Sequence, residues 1–328
     1  MKKILIIAGK NKFGGPFNWL LCLADGLAKS NSYKLEIRRP SFRLILSLRQ
    51  YTIIHIYEFS FYSLFIEKIA GCLKIPKVAT VHGDFIGASD NLNIFKKIIS
   101  KYLAISGLKE ADIVTTPTLY MKNLIKKIGV IDPEKIKVIP NMVNLGLFVK
   151  RKPNNKRRLT VVQISDFKYL LKAKGVIDSV KAFLHFGSKA QLRIIGGRGL
   201  INYFKCHFAG NNIIYLGRIS HRDVIKELRA ADIFIFPTYF DNAPISILEA
   251  MATGLPILTY NTGGIKELIG QAGIICNKKN LSHWIDKLIS NKTLRSVLAD
   301  KARRRATHFS HKKISKSFML LYNSLQDE

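Results

Sequence analysis

Pro237-Thr238-Tyr239-Phe240-Asp241-Asn242-Ala243-Pro244-Ile245-Ser246-Ile247-Leu248-Glu249-Ala250-Met251-Ala252-Thr253-Gly254-Leu255-Pro256 is the most informative stretch of the chain. The apolar run Ile233–Phe236 before it reads as a buried strand. A polar loop follows, and a helix begins near Pro244, where a missing N–H costs nothing. Asp241 and Glu249 enclose seven residues, so one acid sits in the loop and the other about one and a half turns into the helix. A helix start presents unpaired N–H groups and a positive dipole end, which suits a phosphate. A carboxylate near that mouth can accept hydrogen bonds from two ribose hydroxyls. Taken singly, each acid reads equally well as a solvated charge favouring the dipole. The surroundings decide for a site: Gly254-Leu255-Pro256 opens the next strand, and Asn261-Thr262-Gly263-Gly264-Ile265-Lys266-Glu267 supplies a second strand-to-helix loop. Gly263 and Gly264 there suit close backbone approach by a ligand.

The same alternation of strand and helix runs along the chain. Strands are predicted at Lys3–Ala8, Lys34–Arg38, Ile53–Tyr57, Lys77–Val81, Ile113–Thr115 and Lys137–Pro140. Six more are predicted at Thr160–Ile164, Gln191–Ile195, Ile213–Leu216, Ile233–Phe236, Ile257–Thr259 and Gly273–Ile275. Helical periodicity fills the gaps, as in Phe17–Lys29, Gly175–Phe186, Ser220–Arg229 and Asn280–Ile289. This pattern means βαβ units and parallel sheets covered on both faces. Lys150-Arg151-Lys152-Pro153-Asn154-Asn155-Lys156-Arg157-Arg158 breaks it and reads as a linker. The expected organisation is a first domain over 1–149, a second over 150–309, and a helix at 310–328 that packs back on the first. Two doubly wound domains facing across a cleft place a ligand outside the carboxyl ends of their strands.

The 328 residues include 53 Lys+Arg against 22 Asp+Glu, a formal net charge of +31, with 48% apolar residues. Disorder, collagen-like repeats and coiled coil are excluded by this composition. The charge favours an anionic partner: nucleic acid, an acidic leaflet or a phosphorylated substrate. The opening Met1–Ala8 is too short before Gly9-Lys10-Asn11-Lys12 for a signal peptide, and the uncharged stretch Ala250–Ile265 is too polar to span a membrane. Four scattered cysteines without a Cys-x-x-Cys pair read as reduced thiols of a cytosolic protein.

The acid-x7-Glu-Ala pattern followed by Gly-x-Pro and Gly-Gly resembles the family 4 retaining glycosyltransferases of GT-B fold, also called group 1. Further segments are similar in order and spacing: Phe13-Gly14-Gly15-Pro16, Thr80-Val81-His82-Gly83-Asp84, Ile139-Pro140-Asn141-Met142-Val143-Asn144 with Phe148, Lys174-Gly175-Val176 and Leu216-Gly217-Arg218. The resemblance implies that Glu249 binds the ribose of a nucleotide-sugar and that Asp241 meets the donor sugar. It implies that Lys174 neutralises the leaving diphosphate with main-chain N–H groups around Asn242, Ala243 and Ile245. Gly14 and Gly15 would let backbone approach the same diphosphate, and His82 would contact the sugar near the reacting centre. The first acid is Asp where the family usually has Glu. The family's usual Arg before the Lys is missing from Gln163-Ile164-Ser165-Asp166-Phe167, which leaves Lys168 or Lys172 as a second cation, without the bidentate fork of Arg.

No Asp-x-Asp occurs in the sequence, which argues against a carboxylate-held metal, so no metal and no cofactor beyond the nucleotide-sugar substrate are expected. The resemblance implies retention of configuration by a same-face substitution. The expected acceptor is a glycan or lipid-linked saccharide of surface polysaccharide or lipopolysaccharide synthesis. Two competing readings are a nucleotide-sugar epimerase on the same fold and a basic nucleic-acid-binding protein. The acid-x7-Glu-Ala-Met pattern favours the transferase, and no concentrated basic stripe or binding motif supports nucleic acid. Basic clusters lie at Lys96-Lys97 with Lys101, at Lys122 with Lys126-Lys127, and at Arg303–Arg305 with Lys312-Lys313. In Leu92–Leu103 they alternate with apolar residues in a way that suits an anionic leaflet, placing the enzyme on the inner face of the cell membrane.

Overall fold

A computed structural model describes residues 2–9, 15–28, 32–82, 94–149, 158–167, 169–197 and 200–326. The twelve predicted strands all form, and they lie in two six-stranded sheets whose neighbours all run parallel. The first holds β1 (Lys2–Ile7), β2 (Tyr33–Arg38), β3 (Ile53–Ile56), β4 (Lys77–Thr80), β5 (Ile113–Thr116) and β6 (Ile136–Val138), in the order β2-β1-β3-β4-β5-β6. The second holds β7 (Leu159–Ser165), β8 (Ala190–Gly196), β9 (Ile213–Gly217), β10 (Ile233–Phe236), β11 (Ile257–Tyr260) and β12 (Gly273–Cys276), in the order β12-β11-β10-β7-β8-β9. Ile4–Ile7 and all of β3, β4, β10 and β11 are buried. Strands covered on both faces favour apolar runs, and Ile4–Ile7 and β10 are continuously apolar for that reason.

With the first sheet go α1 (Gly15–Ala28), α2 (Phe42–Ile45), α3 (Phe61–Cys72), α4 (Ile94–Glu110) and α5 (Leu119–Ile128). With the second go α6 (Leu170–Phe183), α7 (Ile201–His207), α8 (His221–Ala230), α9 (Ile245–Thr253), α10 (Ile265–Ile269), α11 (Leu281–Ser290) and α12 (Lys292–Ala306). The last helix, α13 (His311–Ser324), returns to the first. The chain divides into two compact units. Among the described residues the first runs to Met142 and resumes at His311, while the second is Val143–Ser310. The change of unit thus precedes the basic stretch at 150–158, of which 150–157 lie outside the described residues. Its physical reason is that the Val143 N–H donates to the Phe309 carbonyl at 2.9 Å and Phe148 is buried in the second unit's core.

In the first unit α13 packs on α1, with the Trp19 and Phe318 rings edge to face at 5.4 Å. A buried polar relay ties it to the sheet. His55 Nδ1 lies 2.7 Å from Tyr322 Oη, its Nε2 lies 2.5 Å from Thr80 Oγ1, and Thr80 Oγ1 lies 2.5 Å from Thr115 Oγ1.

In the second unit α12 supplies caps rather than a free basic face. Arg303 donates to the carbonyl of Ala252 in the last turn of α9 and, at 2.6 Å, to that of Phe148. Arg305 donates to Leu268 and Glu267 at the end of α10, and Arg295 to Leu288 and Ile289 at the end of α11. Each arginine neutralises the negative end of a neighbouring helix. Arg303 and Arg305 therefore do not belong to a membrane-facing cluster.

Candidate active site

Both sheets reverse their strand order once, the second between β7 and β10. Loops leaving two adjacent strands at such a point diverge to opposite faces and open a crevice. The β10–α9 loop carrying Asp241 and the β7–α6 loop both leave this point. Pro244 precedes the first residue of α9, and no side chain caps that helix start. Asn242 and Ala243 are buried just ahead of it, and Ile245 opens the helix.

The loop is held stiffly. Thr262 Oγ1 donates to the Thr238 carbonyl at 2.8 Å, and Tyr239 Oη donates to Asp178 Oδ2 at 2.6 Å. Gly263 has φ +51°, and a Cβ there would stand 2.0 Å from the Asp241 carbonyl oxygen. Only glycine permits both that backbone and that approach. Gly175 is constrained by close approach alone, since its Cβ would stand 1.8 Å from the Pro237 carbonyl oxygen. Gly264 is the residue that precedes α10.

Asp241 and Glu249 each have a basic partner. Lys172 Nζ donates to Asp241 Oδ2 at 2.6 Å. Burial alone would depress this ammonium, but the charge and hydrogen bond of Asp241, with Tyr169 and Asp166 nearby, hold it above the ordinary lysine value. Glu249 is buried, and His221 Nε2 lies 2.8 Å from its Oε1.

Lys174 sits differently from the expectation. The helix begins at Leu170, so Lys174 is its fifth residue and does not open it. The run Leu170-Leu171-Lys172-Ala173 is made of good helix formers, which extends the helix towards the strand. Residues 172 and 174 are separated by about 200° around the axis. Lys172 therefore faces Asp241, while Lys174 is exposed on another side. Lys168 and Gly14 lie outside the described residues, and Gly15 opens α1.

In the first unit His82 follows β4. Its Nδ1 lies 3.0 Å from Asn141 Oδ1, and its ring contacts Trp19 at 4.6 Å and Tyr57 at 4.5 Å between centroids. The Nε2 is buried and makes no hydrogen bond among the described residues. Burial pushes this imidazole down to about 3, only partly offset by Asn141, so it is neutral at physiological pH.

Two family models match adjoining parts of the chain, the one described as Glycosyltransferase Family 4 over residues 26–147 and the one described as Glycosyl transferases group 1 over residues 148–305. The chain belongs to the family 4 glycosyltransferases. This glycosyltransferase is 25% identical over 270 residues to the UDP-Gal:alpha-D-GlcNAc-diphosphoundecaprenol alpha-1,3-galactosyltransferase of Escherichia coli, covering 75% of the chain and 67% of that protein. It is 31% identical over 157 residues to the N,N'-diacetylbacillosaminyl-diphospho-undecaprenol alpha-1,3-N-acetylgalactosaminyltransferase of Campylobacter jejuni, covering 46% of the chain and 41% of that protein. The Anabaena protein HepE, solved in complex with UDP and glucose, shares the GT-B fold at a TM-score of 0.79 and 16% identity, over 99% of this chain and 100% of that one.

The two basic partners of the glycosyltransferase's acids escaped the sequence reading to different degrees. Lys172 appeared there only as a substitute cation. His221 did not appear at all, because nothing local connects Ser220-His221-Arg222 with a glutamate in the next helix.

Proposed function

We propose that this glycosyltransferase moves a hexosyl unit from a UDP-sugar to a saccharide carried on a polyprenyl diphosphate, with retention of configuration and without a metal. The observation that carries the donor side is the placement of Asp241 and buried Glu249 on either side of the uncapped start of α9, at the strand-order reversal. Glu249 accepts the ribose hydroxyls, Asp241 accepts from the sugar, and the N–H groups at the start of α9 receive the diphosphate. Lys174, exposed on α6, supplies the cation for the charge that develops on the leaving group, an electrostatic contribution on the order of 3 kcal/mol. The bond from the anomeric carbon to the diphosphate oxygen breaks. The acceptor oxygen bonds to the same face of that carbon, and its proton passes to the leaving phosphate oxygen. The names of the two bacterial relatives, both acting on diphospho-undecaprenol saccharides, support the acceptor class. The absence of Asp-x-Asp from the sequence supports metal independence. UDP titrated calorimetrically into wild type and Glu249→Ala tests the donor side: a loss of tenfold or more is expected, and equal affinity overturns it. Acceptor-dependent UDP release, followed by NMR of the product's anomeric proton, tests transfer and retention.

The acceptor class implies work at a membrane surface on the cytoplasmic side. No described helix is long and apolar enough to cross a membrane. On α4, however, Phe95, Ile98, Ile99 and Tyr102 form a stripe at helical spacing, with exposures from 44% for Ile99 to 72% for Phe95. Lys96, Lys97 and Lys101 flank it. Phe42, Tyr62 and Phe65 form a second exposed aromatic group on α2 and α3, and α3 packs on α4. A net charge of +31 opposes pairing of two copies through these faces and favours an anionic leaflet. Flotation with phosphatidylglycerol vesicles tests this. Replacing the three lysines by Ser should cut binding about 100-fold, at roughly 1 kcal/mol per lysine, and undiminished binding overturns it.

A further inference from the structure

We infer that His221 is a positioning residue that holds the Glu249 carboxylate for the ribose diol and so sets the preference for ribonucleotide over deoxyribonucleotide donors. The inference rests on the donor reading above. An ionised carboxylate only accepts hydrogen bonds, so the Nε2 at 2.8 Å from Oε1 carries the proton. The bond runs between two helices, from the first residue of α8 to the fifth of α9. The start of α8 is itself fixed, since Ser220 Oγ accepts from the Asp223 N–H at 3.2 Å and donates to its carboxylate at 2.6 Å. The buried Phe148 ring meets the imidazole edge to face, with 6.0 Å between ring centroids. The imidazole is thus built in from two sides.

The two side chains differ in exposure in a way that suits this task. The Glu249 side chain is 7% exposed and that of His221 34%. A carboxylate so enclosed has little water to order it, so its protein partners set its orientation. One oxygen tied to His221 fixes the plane of the group. Because a carboxylate has about four lone-pair sites, that bond leaves capacity for both ribose hydroxyls. A loose carboxylate would bind a single hydroxyl nearly as well as a pair; a fixed one rewards the pair. His221 therefore acts on donor affinity and on sugar discrimination in the nucleoside, through Glu249, and leaves the chemical step alone.

The test measures UDP and 2′-deoxy-UDP affinities by calorimetry, with donor KM, kcat and melting temperature, for wild type, His221→Ala, His221→Gln and Glu249→Ala. Wild type should favour UDP by about tenfold or more. In His221→Ala the UDP affinity should fall about tenfold, the preference should shrink to within about threefold, and kcat should hold. His221→Gln, which keeps an N–H donor of similar reach, should recover most of the preference. An unchanged preference in His221→Ala, while Glu249→Ala abolishes it, overturns the role of His221 and leaves the donor reading standing. A preference unchanged in Glu249→Ala as well overturns the donor reading itself. A preference lost in His221→Ala together with a lowered melting temperature, and not recovered by Gln, assigns His221 to packing and overturns the inference.

Discussion

Lys172 Nζ lies 2.6 Å from Asp241 Oδ2, joining the third residue of α6 to the loop that follows β10. The ion pair is mostly enclosed, so removing one member leaves the other charged and poorly solvated. The proximity argues that two lysines near the site have separate duties.

Lys172→Ala should therefore lower the melting temperature, with a loss of about 1–3 kcal/mol for the stranded carboxylate. Lys174→Ala should leave stability untouched and reduce kcat by about 100-fold. Denaturant melts and initial rates on the same pair of variants check both statements. Normal turnover in Lys174→Ala would remove that residue from the diphosphate.

Gly263→Ala should cost roughly 2–4 kcal/mol and weaken UDP binding, because the new Cβ must displace the Asp241 carbonyl. Gly187 is the control: its φ is +49°, but nothing lies within 4 Å of the Cβ position. Gly187→Ala should cost only about 1 kcal/mol and leave UDP affinity unchanged. Equal penalties in the two variants would mean that backbone conformation, and not the contact with the loop, governs Gly263.

Two buried groups should make stability depend on pH in opposite directions. Burial, aided by the charge of Glu110 and opposed by Lys77, pushes the Glu67 carboxyl up to about 8, and neither oxygen is hydrogen-bonded among the described residues. The unfolded chain releases this proton at an ordinary glutamate value, so stability present at acid pH is lost as pH rises through that value towards 8. Burial pushes His55 down to about 3, with the charge of His82 adding to it. Its contribution is complete above about 6.5 and is lost as pH falls towards 3. Each group contributes a slope of at most about 1.4 kcal/mol per pH unit. Urea melts across pH should show Glu67→Gln more stable than wild type at pH 8 and equal to it near pH 4.5. Parallel curves would sink the assignment to Glu67 of the loss between about pH 4.5 and 8.

Arg303→Met should destabilise the second unit by about 2–3 kcal/mol, since it strands two carbonyls. Vesicle binding per folded molecule should not change. A variant that melts like wild type but floats less would return Arg303 to the membrane face.

Fold and site differ in how far they could be read from the chain. Ile4-Leu5-Ile6-Ile7 and Ile233-Phe234-Ile235-Phe236 announce themselves because a strand buried on both faces has no polar positions to disguise it. The glycines at 175 and 263 were visible as glycines, yet what they touch was not, since Pro237 and Asp241 reach them through the fold. The same holds for the partners of the acids. Lys172 lies 69 residues from Asp241, and His221 lies 28 from Glu249. Such pairs form only when the loops and helix starts that follow different strands meet at one edge. Arg303 was misleading for a related reason: a basic run has the same composition whether it faces lipid or caps a neighbouring helix, and only packing separates the two.

The return of α13 to the first unit sets an order on biosynthesis. Trp19 and His55 are made early, but Phe318 and Tyr322, against which they rest, emerge only after the whole of Val143–Ser310. At about 5–20 residues per second, that interval lasts on the order of ten to thirty seconds. All of the second unit is made before the first can close, and until α13 is made the earlier segment leaves Trp19 and His55 without the helix they rest against. Chaperone capture during synthesis should concentrate on the segment translated first.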